Sequence, residues 1–202
     1  MPRNAPAPAI QGFVDRHAIG GPDWNGPHTF ATVTWDGSDL GVHTWVSITT
    51  DVHPGQYPKV ITRFSRDAVI EANRARANGV EPNLYGYLLV AEFWRAPEPR
   101  WDAPAKAHRR WDADRRNRTF HARTDAVETR IAMFADIDGR AWMTELERRT
   151  RALRRHFFEG YLDGPRTVGG PFLSVLAASA RATGVFAYGD PMPEGYEPSP
   201  HA

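Results

Sequence analysis

The sequence predicts an α+β domain, with an antiparallel or mixed sheet of about five strands and two to three covering helices. Three observations predict it. Asp138-Gly139 lies between two strand-like runs, a strong short-range hairpin signal. Tyr85 to Trp94 is apolar on both faces apart from Glu92, as a central strand covered on both sides should be. Segments 65–78, 151–161 and 172–183 carry apolar or small residues at helical spacing.

Taken in order, residues 1–9 form a Pro/Ala arm, 10–186 a single domain, and 187–202 a Pro/Gly tail. Residues 10–19 hold a short apolar segment with Phe13, Val14 and Ile19, and the glycines and prolines of 20–27 mark a loop. Strands are expected at 28–35 and 42–50, turning through Asp36 to Gly41, with Val33, Trp35, Val42, Val46 and Ile48 on the core face. After a loop to Pro58, Ser65 is the expected N-cap of a helix that stops at Asn78-Gly79. The central strand, 85–94, follows. From Arg95 to Thr119 the chain leaves the sheet; Arg110–Asp114 and Asp112–Arg116 are spaced for a short polar helix after Pro104. Thr119 to Ala122 is expected to add a short strand.

The hairpin comprises strands 127–137 and 140–149. A two-residue turn pairs Ile137 with Arg140, which sets Ile131 against Leu146, Arg130 against Glu147 and Glu128 against Arg149. The two opposite-charge pairs favour that register, each contributing roughly 0.2–1 kcal/mol. Leu153, Phe157, Phe158 and Tyr161 then predict a helix over 151–161, and small apolar residues predict another over 172–183.

Composition narrows the function classes. A net charge of +1 gives no bulk attraction to nucleic acid or to an anionic membrane. The chain has no cysteine, which excludes disulfides, thiolate metal sites and cysteine nucleophiles. No apolar run approaches the roughly 20 residues of a membrane span, and the first residues lack the apolar centre of a signal peptide. A cytoplasmic protein without a cofactor is the expectation.

Three constellations are candidates for chemistry. Glu92 sits in an otherwise apolar strand, so it must be paired, protonated or at an opening. It is either ion-paired with Arg130 on the next strand or a general acid or base working with Glu128, His121 and Arg130; the ion pair is the favoured alternative. Segment 100–123 interleaves Arg109, Arg110, Arg115, Arg116 and Arg118 with Trp111 and other aromatics, suiting phosphate contact and base stacking. Its aspartates offset that charge, and a solvated helix laced by ion pairs explains it as well. Asp51 and His53, with His43 upstream and His121 elsewhere, are metal-ligand types, but no ligand spacing supports them and no metal is expected.

Tyr85-Gly-Tyr, Val90-Ala-Glu-Phe-Trp94, Arg123-Thr-Asp-Ala-Val-Glu-Thr-Arg130 and Asp136-Ile-Asp-Gly139 occur in that order. Over about residues 84–150 this order resembles small uncharacterised α+β proteins of actinobacteria and their bacteriophages. The resemblance implies a mobile-element origin, with host cytoplasm as the location, and carries no activity with it. The resulting expectation is a non-enzymatic accessory or assembly protein that binds another protein or itself. The alternatives are a small hydrolase or lyase using Glu92 with His121 and Arg130, and a nucleic-acid binder acting through 100–123.

Overall fold

The computed structural model describes residues 5–20, 24–48, 54–117, 119–159 and 170–190. In chain order the elements are α1 (Ala7–Ile19), β1 (His28–Trp35), β2 (Leu40–Ile48), α2 (Tyr57–Ala77), β3 (Leu84–Arg95), α3 (Ala105–Asn117), β4 (Val127–Asp136), β5 (Ala141–Glu147), β6 (Leu153–Phe158) and α4 (Gly170–Tyr188). The six strands form one sheet in the order β2-β1-β3-β4-β5-β6, and every neighbouring pair is antiparallel. The α+β class is as expected, with one strand more.

Helices cover both faces. On one, α2 and α4 pack Ile61, Leu173 and Leu176 over Phe30, Tyr87, Leu89 and Met133. On the other, α1 lays Ile10, Phe13 and Val14 over Leu88, Phe134 and Trp142. β3 lies between the two cores, which is why its residues are apolar on both sides. Each large side chain fully buried in these cores contributes about 1.5–3 kcal/mol.

Both termini of the described chain extend past the expected domain limits. α1 starts at Ala7, and buried Ala5 donates its N–H to Tyr85 Oη at 3.2 Å. α4 reaches Tyr188, whose hydroxyl donates to the carbonyls of Pro82 and Leu84 at 2.9 and 2.6 Å. The N-cap expected at Ser65 is corrected too. α2 begins at Tyr57, with proline in its first turn, and Ser65 is buried mid-helix. There the Ser65 hydroxyl bonds back to the carbonyl of Ile61 at 2.9 Å, an arrangement a helix interior tolerates.

The 127–149 hairpin forms, but one residue out of the expected register. Phe134 faces Trp142, Met133 faces Met143 and Ile131 faces Glu145. The cause is the turn: Asp136 and Arg140 close a three-residue loop of Ile137, Asp138 and Gly139, with Gly139 at φ 84°. The Asp136 carboxylate holds it by accepting the N–H groups of Asp138 and Arg140 at 3.1 and 2.8 Å. Since both faces of β4 are covered, the shift exposes no apolar row.

The helix expected over 151–161 is instead β6, and Tyr161 lies outside the described residues. Arg151 takes φ 57° in a tight turn, and Glu147 N–H bonds to Ala152 O at 3.0 Å, so the chain folds straight back onto β5. Leu153 and Phe157 are four apart, which suits a helix, but they also share a face of a strand. Two smaller differences have local causes. A bulge between Thr32 and Val33 sends Val33 and Val42 to the α1 side and Val46 and Ile48 to the α2 side, splitting the expected core face. Thr119 to Ala122 gives no strand, because Phe120–Ala122 is a single 3-10 turn.

Candidate functional site

Glu92 on β3 lies directly opposite Arg130 on β4. Arg130 donates Nε and Nη2 to Glu92 Oε1 at 2.9 and 2.7 Å. Glu92 Oε2 accepts the backbone N–H of Asn25 at 2.7 Å. Both carboxylate oxygens are thus engaged, and the two side chains are largely buried. The indole of Trp24 lies against two guanidinium groups, with Arg130 4.6 Å and Arg148 5.3 Å from its ring centre. Arg148 Nη1 closes the array on Glu128 Oε2 at 2.7 Å. Two acids and two arginines therefore neutralise one another around one tryptophan, and tie the loop at Trp24-Asn25 to the sheet. Glu128 pairs with Arg148, not Arg149, because of the shifted β4–β5 register; Arg130 pairs with Glu92, the favoured alternative, through the β3–β4 pairing.

His121 is exposed in the 3-10 turn at Phe120–Ala122. The imidazole beside Glu92 is that of His28, at the start of β1. Its Nδ1 bonds to Tyr57 Oη, and its ring lies 5.3 Å from that of Phe93. Burial holds the His28 pKa below the ordinary histidine value, against the pull of the Glu92 carbonyl and charge. No motif surrounds His28 in the sequence; only the strand pairing brings it to Glu92.

The arginines of 100–123 are mostly matched by aspartates. Arg115 pairs with Asp112 at 3.4 Å, Arg110 lies 4.0 Å from Asp114, and Arg123 bridges Asp114 and Asp125 at 3.3 and 2.7 Å. Arg116 bonds to the carbonyl of Asp112 at 3.3 Å. Trp111 is an anchor for α3: its Nε1 donates to Ala96 O at 3.4 Å, and its ring contacts Phe120. Arg109 is exposed, and Arg118 lies outside the described residues. So do Asp51 and His53, while His43 stands at the bulge in β2. Among the described residues, no three His, Asp or Glu side chains are grouped to hold a metal ion. Nor is any helix among them long and apolar enough to cross a membrane.

Two polar clusters emerge only in three dimensions. Fully buried Asp136 accepts Arg140 Nε at 2.8 Å and the Tyr85 hydroxyl at 3.3 Å. Burial pushes the Asp136 carboxyl up, against the pull of Arg140 and its backbone N–H. On the opposite face, buried Glu145 lies 3.4 Å from Arg95 and 4.0 Å from His156 Nε2. A strand pattern that alternates faces could have grouped Glu145 with His156, but only with β6 identified as a strand.

Among the described residues the outer strands of the sheet are β2 and β6, and they differ in charge. β6 carries Arg154, Arg155 and His156 along its length. β2 spans nine residues, Leu40–Ile48, without a proline, lysine, arginine or carboxylate. Its side chains are largely exposed, including Trp45 at 50%. Comparison with protein-family models, with curated proteins and with solved structures finds no match in any of the three.

Proposed function

We propose that this protein is an accessory or assembly protein that works by binding a second copy of itself, edge to edge through β2. The observation that carries this is the edge of β2, an outer strand with no charged or proline residue and, among the described residues, no strand paired beyond it. Outer strands are ordinarily protected by charge, proline, a bulge or a covering element, because their unpaired N–H and C=O groups template further strands. β2 has neither charge nor proline, and its bulge at His43 leaves Thr44–Ile48 as a regular run, so two antiparallel copies of that run would meet without like-charge repulsion. β6 would set arginine near arginine and is the poorer edge for self-pairing. The engaged oxygens of Glu92 favour this reading over a hydrolase or lyase, and the aspartate-matched arginines of α3 favour it over a nucleic-acid binder. The resemblance of residues 84–150 to actinobacterial and phage proteins accords with an accessory role.

The test is light scattering across a concentration series, on the wild type and on Trp45→Lys/Ser47→Lys. The wild type should shift from monomer to dimer with concentration, and the doubly charged strand should hold the monomer. A wild type monomeric at high micromolar concentration would refute the proposal.

A further inference from the structure

A second feature, independent of the strand edge, lies between α2 and the β1–β2 half of the sheet. α2 packs against α4 and leaves a groove of about 410 Å³ beside it, within the size range of small-molecule sites. The space exists because the helix turns its alanines there: Ala68, Ala72 and Ala75 all line it. Phe30, Phe64 and Val46 supply larger apolar walls.

Two polar observations, separate from each other, point to an occupant. Thr32 lines the groove at 9% exposure, and among the described residues its Oγ1 is buried without a hydrogen-bond partner. Such an orphan hydroxyl is uncommon, because burying it unbonded is costly. Asp67 and Glu71, one turn apart on α2, line the same groove. Glu71 is shared with exposed Arg74 at 2.6 Å, and Asp67 makes no ion pair among the described residues. Among the described residues, the remaining titratable group on the lining is His43.

We propose that this groove binds a small amphipathic amine, with an aromatic or alkyl body against Phe64 and Val46 and an ammonium head at Asp67 and Glu71. Polar substituents on the body would find Thr32 Oγ1. An anionic ligand of the same shape would meet two carboxylates and be rejected.

Calorimetric or NMR titration with phenethylamine, phenethyl alcohol and hydrocinnamate tests this, since the three share a body and differ in the head. Phenethylamine should saturate with a Kd on the order of 1 mM or below, roughly tenfold tighter than the alcohol, with hydrocinnamate weaker still. Asp67→Asn/Glu71→Gln should erase the preference for the amine over the alcohol. Ala72→Phe should fill the groove and abolish binding of both; should it fail to fold, Ala68→Leu serves the same purpose. Absence of saturable amine binding, equal affinity for amine and alcohol, or amine binding unchanged by the filling variant would each overturn the proposal. Neither Trp45 nor Ser47 lines the groove, so the strand-edge variant should still bind the amine, and the two ideas fail separately.

Discussion

Arg130 places two N–H donors on the same carboxylate oxygen of Glu92, across a strand pair in which both side chains are largely withdrawn from water. Desolvation of the two charges is offset only while they face one another. Removing one should therefore cost about 3–5 kcal/mol, because the other is left buried without a countercharge. Urea unfolding should show Glu92→Leu and Arg130→Met each strongly destabilised, and the double variant less so than either single one. Additive losses would mean that the pair is well solvated and holds nothing.

The general position of this pair was legible in the sequence, because a lone acid in an apolar strand demands a partner and Arg130 was the nearest candidate. The hairpin register was not. Asp138-Gly139 signals a tight turn without stating whether two or three residues form it, and the deciding bonds come from the side chain of Asp136. A sheet covered on one face would have penalised the wrong register through its apolar rows, whereas this one is covered on both. β6 was hidden for a related reason: its apolar spacing satisfies a helix and a strand alike, and the turn at Arg151 decides. His28, Asp136 and Glu145 acquire their partners from strand order, which a local pattern does not carry.

Two histidines should govern stability at mildly acidic pH. Burial lowers the pKa of His28, and it lowers that of His17 as well. A histidine with a depressed native pKa is neutral in the fold while the unfolded chain takes up a proton. The contribution is thus fully present above the ordinary value of about 6.5, and is lost as pH falls through 6.5 towards the lower native pKa. Urea midpoints should decline as pH is lowered through that window. His28→Gln should flatten the decline, and an unchanged slope would show that His28 is not a contributor.

Gly86 and Gly139 are both in or beside the central hairpin but should respond differently to alanine. A Cβ on Gly86 would lie 2.3 Å from the carbonyl oxygen of Ala135 and 2.8 Å from the Phe134 ring. β3 and β4 would have to separate, so Gly86→Ala should cost about 3 kcal/mol or more. Gly139 has open space around it but φ at +84°, so alanine there should cost only about 1–2 kcal/mol of left-handed strain. Thermal melts of the two variants give the order, and a reversed order would show that β3 and β4 have another way to pack.

Tyr85 links the hairpin turn to the start of the chain. Its oxygen accepts Arg140 Nη2 at 2.8 Å and the Ala5 N–H at 3.2 Å, while its own proton faces Asp136 at 3.3 Å. Burial and the charge of Asp136 push the phenol pKa up, so the group stays protonated and able to donate. Tyr85→Phe keeps the ring contacts with Trp35 and Phe134 but removes that oxygen. The expected loss is about 1–3 kcal/mol, from a backbone N–H and a guanidinium each deprived of an acceptor. Hydrogen exchange locates the loss: the Ala5 amide should exchange more than about tenfold faster, while amides in the centre of β3 should change only as much as global stability does. Uniform acceleration along the chain would mean that Tyr85 supports the core as a whole and does not specifically fasten α1 to the sheet.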